Sequence, residues 1–385
     1  MKKILLSTLV LATTTLAVSF EYPTIYKDPR AMGMGGAYVA VGGTSSAVFY
    51  NPAGLAKINK ESGWEVNLLK ITAGAGNNSI DFINDTLDAL NAEDGDYITP
   101  SDGDDGDDQL YALNKVIKQY QGENLHFTFN NYSSISKRWK KLAFTIGLFS
   151  GVNSNTVTHQ GFGLEGIIEK HLDMLVGPVV GFSYDFTKYN LSIGLSAKYM
   201  YRKLIDHYFT TRELVENEDN LDNYILNEVA KDGTAFGADI GVIYDIDKIH
   251  WLPISIGASL LNIGDMDFGE AGKIPMTLNL GIALKPKIPI FDWTFAIDYV
   301  DVTNNYEEDD NKLKRLRAGV EVVFFDKWWG AAKIRGGVYQ SYFTAGAELR
   351  LFLLTAMFTT YEEEVGAYAG QKGDRRYLLT VALGW

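Results

Sequence analysis

From Ser62 to the C-terminus the chain repeats one pattern: runs of about ten residues in which apolar and polar side chains alternate, the period of a β-strand with one apolar face. Between Tyr189 and Thr210, Leu191, Ile193, Leu195, Ala197, Tyr199 and Tyr201 share one face, and Asn190, Ser192, Gly194, Ser196 and Lys198 the other. Phe343, Ala345, Ala347, Leu349 and Leu351 alternate with Thr344, Glu348 and Arg350, while Leu316, Ala318, Val320, Val322 and Phe324 alternate with Arg315, Arg317 and Glu321. The pattern predicts fourteen strands: Ser62–Gly76, Glu123–Lys137, Trp139–Thr156, Leu175–Phe186, Tyr189–Phe209, Gly233–Ile246, Trp251–Ile263, Lys273–Lys285, Ile290–Thr303, Lys312–Phe325, Trp329–Tyr339, Ser341–Phe352, Leu353–Glu363 and Arg375–Trp385. A soluble β-sandwich also alternates, but it hides its apolar faces in a core. A membrane barrel turns them to lipid and keeps a wet lumen.

Connection lengths separate the two. Long polar connections follow the odd strands: Asn77 to Gly122, Val157 to Met174, Thr210 to Asp232, Gly264 to Gly272, Asn304 to Asn311 and Glu364 to Asp374. Short turns follow the even ones, near Lys137-Arg138, Thr187-Lys188, Pro286 to Pro289 and Asp326 to Trp328; Gln340-Ser341 is the exception, a tight turn on the long side. Long loops outside and short turns inside are the habit of bacterial barrels. The last strand agrees, since Tyr377, Leu379, Val381, Leu383 and Trp385 resemble the terminal strand by which barrel-assembly machinery recognises its clients. Trp139, Trp251, Trp293, Trp328 and Trp329 fall near strand ends, as an interfacial girdle requires. Within the long loops, four apolar sets have helical spacing: Ile80, Ile83, Leu87 and Leu90; Leu110, Leu113 and Ile117; Leu164, Ile167, Ile168, His171 and Leu175; and Leu214, Leu221, Ile225 and Val229. They predict short outer helices that form a cap or line an apolar groove. The fold class expected is all-β, an antiparallel transmembrane barrel of about 14 strands.

Composition narrows the chemistry. There is no cysteine among 385 residues, which removes disulfides, thiolate metal sites and cysteine catalysis. Residues 1–19 carry Lys2, Lys3, an apolar run and Ala17-Val18-Ser19, the form of a secretory signal. A net charge of −13 disfavours nucleic acid as a partner. The tract from Glu93 to Asp108 is read as a solvated acidic loop; its glycine-separated carboxylates Asp102, Asp104, Asp105 and Asp107 are candidate Ca²⁺ ligands, although the full EF-hand spacing is missing. No other cofactor is expected. The five histidines form no HExxH, no GxSxG is present, and the glycine run at Gly33-Met34-Gly35-Gly36 fails the dinucleotide spacing because Tyr38 holds the third glycine position. The chain is not expected to be an enzyme. Asp298, Arg315, Arg317, Glu321, Lys333, Arg335, Glu348 and Arg350 fall on the polar strand face, as lumen-lining groups that either brace the interior or line a path through it.

Fourteen strands about 4.8 Å apart and tilted about 40° enclose a backbone radius of roughly 14 Å, too wide for side chains to fill. The stretch that precedes the first strand, Asp28 to Ala56, is dense in glycine and small residues and ends in Asn51-Pro52-Ala53. DPRAMGMGGAYVAV followed by AVFYNPAGLA resembles the N-terminal region of the FadL-type outer-membrane transporters of hydrophobic compounds, and of the related PorV-type and TraF-like (conjugal transfer) barrels. NIGDMDF, IPMTLNLGIALKP and the tail GAYAGQKGDRRYLLTVALGW are similar to the TraF-like group. The resemblance implies a hatch at residues 20–60 inside a barrel at 61–385, with Gly33, Gly35, Gly36, Asn51, Pro52 and Ala53 in the hatch or its gate, and 77–122 as a long, acidic, partly helical extracellular loop. These hatches commonly carry an Asp after the AxVA stretch; here Gly42-Gly43-Thr44-Ser45-Ser46 stands there, so no gating role of that Asp transfers.

The function expected is passive uptake of hydrophobic small molecules, of long-chain fatty acid or hydrocarbon type, across the outer membrane of a Gram-negative-type bacterium. The alternative is a barrel that does not transport and serves as a component of a secretion or conjugal-transfer machine.

Overall fold

Fourteen antiparallel strands close on themselves in chain order, with the first paired to the last. The computed structural model describes residues 21–58, 63–90, 115–160, 166–210, 213, 223–306 and 311–385. The strands are β1 (Trp64–Gly76), β2 (Asn124–Trp139), β3 (Leu142–Gln160), β4 (Gly166–Phe186), β5 (Leu191–Thr210), β6 (Lys231–Ile246), β7 (Ile254–Leu261), the two-residue β8 (Met266–Asp267) and β9 (Lys273–Ile274), then β10 (Thr277–Leu284), β11 (Asp292–Tyr299), β12 (Leu316–Lys327), β13 (Gly330–Tyr339), β14 (Tyr342–Leu351), β15 (Leu354–Glu364) and β16 (Gly373–Gly384). All but β8 and β9 belong to the barrel. Two helices are α1 (Pro29–Gly33) and α2 (Asn77–Leu90).

Burial is inverted relative to a soluble protein. On β5, Leu195 and Tyr199 are 55% and 52% exposed, while Lys198 between them is 2% exposed and its partner Asp239 on β6 is 1% exposed. The apolar faces point away from the protein and the charged faces into it. A sandwich would show the reverse, so the strands form a transmembrane barrel. The wall is uneven: β3, β4 and β5 run 19, 21 and 20 residues, whereas β7, β10 and β11 have eight each. All seven tryptophans lie at the rim of short connections: Trp64 opens β1, Trp385 follows β16, and Trp139, Trp251, Trp293, Trp328 and Trp329 flank the turns.

Every predicted strand is present, with two corrections to the loops between them. Of the helical set Leu164, Ile167, Ile168, His171 and Leu175, the last four are not helical: Gly166 onward is β4, and its first residues pair with both β3 and β5, as in Ile168↔Thr158 and Ile168↔Phe209. Val157 to Gln160 and Gly166 to Met174 are therefore strand, where the sequence predicts a loop from Val157 to Met174. The second correction is Gly264 to Gly272, which is not an outward loop. It carries β8 and part of the β8–β9 hairpin, with Met266, Phe268, Ala271 and Ile274 buried against the barrel interior. Gly233 and Gly237 on β6 leave room for it, since a Cβ there would lie 1.9 Å from the Phe268 carbonyl oxygen and 2.6 Å from the Met266 sulfur. α2 fulfils the first helical set, with Ile80, Ile83 and Leu87 exposed; Ile117 lies on a short helical turn at 115–119, and Ile225 and Val229 on the turn Tyr224–Val229. The leader at 1–19, the acidic tract with Asp102, Asp104, Asp105 and Asp107, and Leu110, Leu113, Leu164, Leu214 and Leu221 lie outside the described residues.

Candidate functional site

The polar faces of the strands converge on residues 21–58. Asp28 caps α1, accepting from the Arg30 and Ala31 amides at 2.9 and 3.4 Å, with Pro29 at the first helical position where its missing N–H costs nothing. The same carboxylate accepts from Ser46 Oγ at 2.6 Å and pairs with Lys70 of β1. Burial alone would raise the Asp28 carboxyl, but the Lys70 ammonium and these donors outweigh it and hold it down at about 2.

Arg30, two residues on, points its guanidinium at Glu321 of β12, with Nε and Nη2 reaching the two carboxylate oxygens at 2.8 and 2.7 Å. Nη1 continues to the Tyr38 hydroxyl at 3.0 Å and the Gly42 carbonyl at 3.2 Å. Glu321 also accepts from Arg335 Nε of β13 at 2.7 Å, Arg335 pairs with Glu348 of β14, and Glu348 with Lys333 at 3.2 Å. Four of the predicted lumen-lining groups thus form one ladder across three strands, and Arg30 inserts into it. Asp298 of β11 does different work: its Oδ2 accepts the backbone N–H of Tyr38 at 2.5 Å and of Val39 at 2.7 Å. Arg317, its cross-strand neighbour, lies over the Tyr339 ring at 3.7 Å. The remaining two fall at opposite ends. Arg315 pairs with Asp301 at 3.5 Å among the long connections, and Arg350 with Asp326 at 2.6 Å beside the short turns.

The glycines serve backbone contact. Gly35 has φ +66°, and a Cβ on it would sit 2.3 Å from the Ala318 carbonyl oxygen; across the gap, a Cβ on Gly319 would sit 2.2 Å from the Met34 oxygen. The segment and the wall meet there with no side chain between them, and Thr344 Oγ1 closes the contact by donating to the Gly33 carbonyl at 3.0 Å and accepting the Gly35 N–H at 3.1 Å. The Asn-Pro-Ala turn repeats the arrangement on the other wall. Asn51 Oδ1 accepts the Ala53 N–H at 3.1 Å, its Nδ2 donates to the carbonyls of Val39 at 2.8 Å and Val242 at 3.1 Å, and Gly194 and Gly241 leave the space that Ala53 and Asn51 occupy. Where the resemblance leads one to look for an Asp, Gly42 packs on Gly54 with φ +57°, and a Cβ there would lie 2.5 Å from the Gly54 Cα, so the position admits no side chain.

Sequence reasoning did not find Arg30, Ser46 or Lys70, nor the cluster in which Glu21 meets Arg376 of β16 at 2.5 Å and Lys27 at 3.1 Å, with Lys27 also 2.6 Å from Glu363 of β15. The Asp-Pro pair before a small-residue run was a usable cap signal. The ion pairs join residues hundreds of positions apart and left none. Between the segment and the wall lies a cavity of about 90 Å³, lined by Tyr22, Tyr26, Met32, Phe49, Tyr339 and Arg317 among others. Apolar cavities of about 150 Å³ hold a benzene, so in this conformation the space is smaller than one aromatic ring needs.

No protein-family model matches the chain, and no curated protein sequence does. Solved structures share its fold. It is similar to the Pseudomonas putida toluene transporter TodX (11% identity over 95% of this chain and 99% of that one, TM-score 0.51). It is likewise similar to the Ralstonia pickettii toluene transporter TbuX (12%, 93% and 98%, TM-score 0.50) and to the CymD monoaromatic hydrocarbon channel (10%, 94% and 98%, TM-score 0.50). At such identities the likeness is one of fold alone, a closed antiparallel barrel over nearly the whole of each chain.

Proposed function

We propose that the protein is an outer-membrane channel for passive uptake of hydrophobic small molecules, with residues 21–58 as the hatch that closes its bore. The observation that carries this reading is the interior itself: a bore too wide for side chains is occupied by a separate segment, with an aromatic-lined cavity beside it. The names of the proteins that share the fold, toluene transporters and monoaromatic hydrocarbon channels, support the cargo class. Growth of the cavity past one ring's volume requires the hatch to move, so transport and hatch motion are one process. The terminal strand β16 would guide assembly, and no catalytic step is assigned to any residue.

The test is entry of toluene into proteoliposomes, faster with protein than without it. Deleting Ile25 to Ala56 should also raise permeability to small polar solutes. An unchanged swelling rate for the deletion would refute the hatch, and unchanged toluene entry for the intact chain would refute the channel.

A second reading has its own support. The segment is tied to β1, β11, β12, β14, β15 and β16 at once, as suits a barrel that never opens and serves as a component of a secretion or conjugal-transfer machine. Loss of a secreted or transferred product on gene deletion, with toluene entry unaffected, would favour it.

A further inference from the structure

The two ends of the barrel differ in charge and in what their tips expose. The connections on the long side hold 27 acidic against eight basic residues. Those on the short side hold six lysines against the single Asp247. Five of these lysines, Lys140, Lys141, Lys188, Lys248 and Lys287, are exposed. In a chain with net charge −13, one rim is locally cationic.

That rim is also apolar where turn tips are ordinarily polar. Ile290 is 86% exposed and Trp328 is 82% exposed, and Phe352 of the next turn packs on Trp328 at 6.0 Å between ring centroids. Exposed Ile249, Trp251 and Leu353 extend the same surface. These tips belong to four successive turns, β6–β7, β10–β11, β12–β13 and β14–β15, on the side where the wall is low. An eight-residue strand spans about 27 Å along its axis and, tilted about 40°, roughly 20 Å of height, short of the apolar band of about 25 Å. The turns on the tall side, Lys140-Lys141 and Thr187 to Asn190, carry no aliphatic tip.

The geometry points to this rim as a binding collar for anionic phospholipid: the apolar tips of the low side enter the acyl region of the adjoining leaflet, and the exposed lysines take its phosphates. Lipid is the occupant because the surface is continuous with the lipid-facing wall, makes up that wall's missing height, and adds the tryptophans that favour the headgroup level and the charge that anionic headgroups attract. The collar fixes the orientation of the barrel, with short turns at the anionic leaflet and acidic loops on the far side. It does not depend on whether the bore transports.

Because the chain has no cysteine, Ile290→Cys and Phe352→Cys can each take a single environment-sensitive fluorophore. In phosphatidylethanolamine vesicles containing phosphatidylglycerol, both labels should emit as in an apolar medium and be quenched by brominated acyl chains. Replacing the five exposed lysines with serine should lower phosphatidylglycerol retention, read by native mass spectrometry, by about fivefold for each lysine removed, while replacement with arginine should preserve it. Retention unchanged in the serine variant, with strand content intact, would overturn the charge half of the proposal. Labels quenched by aqueous iodide instead of brominated lipid would overturn the immersion half and leave the tips to a soluble protein partner.

Discussion

Removing Arg30 tests the proposed hatch at one atom group. Its guanidinium makes two charge-assisted bonds to Glu321, whose side chain is only 3% exposed. Breaking a buried pair by deleting one partner commonly costs about 3–5 kcal/mol, because the other charge is stranded. Here Arg30→Ala does not strand Glu321, which keeps Arg335 at 2.7 Å. The loss is therefore nearer to that of one charged hydrogen-bonded contact, about 2–3 kcal/mol. If hatch displacement breaks this pair, Arg30→Ala raises the ratio of displaced to seated segment by roughly 30- to 150-fold. Glu321→Ala should do more, since it removes the acceptor of Arg30 and of Arg335 together, although Arg335 keeps Glu348. Single-channel recording in planar bilayers reads the displaced fraction as the frequency of transient openings to small ions. The order expected is wild type, then Arg30→Ala, then Glu321→Ala, and the double variant should resemble Glu321→Ala because the two share one interaction. Equal opening frequencies in all four, with strand circular dichroism unchanged, would refute the assignment of this pair as a hatch clamp.

Gly35→Ala places a Cβ against the Ala318 carbonyl at a positive φ, so it should unseat α1 and expose Arg30 to protease in detergent; an unaltered digestion pattern would count against the close approach. Phe49→Ala empties the centre of the cluster with Tyr26, Tyr132 and Phe149, whose rings lie 5.3, 5.0 and 5.5 Å away. The cost should be about 3–5 kcal/mol, read as a lower temperature for proteolytic release of the segment. Asp28 is lowered to about 2 in the folded chain against an ordinary value near 3.9. Its cap should contribute fully above about pH 4 and fade as pH falls toward 2, so acid-induced opening in wild type should be absent in Asp28→Asn, which starts already weakened.

The barrel was legible because lipid imposes period-2 alternation on every wall strand, as on Leu191 to Tyr201, whatever the interior holds. Legibility stopped where the alternation does. At the start of β4, Ile167 and Ile168 are adjacent and His171 and Leu172 follow, all half-buried, so the apolar residues fall at spacings that also suit a helix. The inward loop at Gly264 to Gly272 was hidden for a related reason: its burial depends on Gly233 and Gly237, thirty residues earlier on another strand. In the interior, the polar face announced charges such as Glu321 and Arg335, but not their partners. Which carboxylate meets Arg30, 291 positions away, is a property of the closed barrel alone.

The ion pairs of residues 21–28 fall on both sides of one junction. Glu21 and Lys27 hold Arg376 of β16 and Glu363 of β15, while Asp28 holds Lys70 of β1. β1 and β16 form the seam at which the chain's two ends meet, and their register slips between Asn67 and Leu69. The N-terminal segment therefore acts as a staple across the seam as well as a filling. Its glycines admit no side chain between segment and wall, so threading it into a finished cylinder is sterically hard. An order of assembly in which the segment docks on an open sheet before β1 and β16 pair satisfies this constraint. A chain with Glu21, Lys27 and Asp28 replaced by alanine should insert slowly and stay open-seamed even where its fourteen strands are intact.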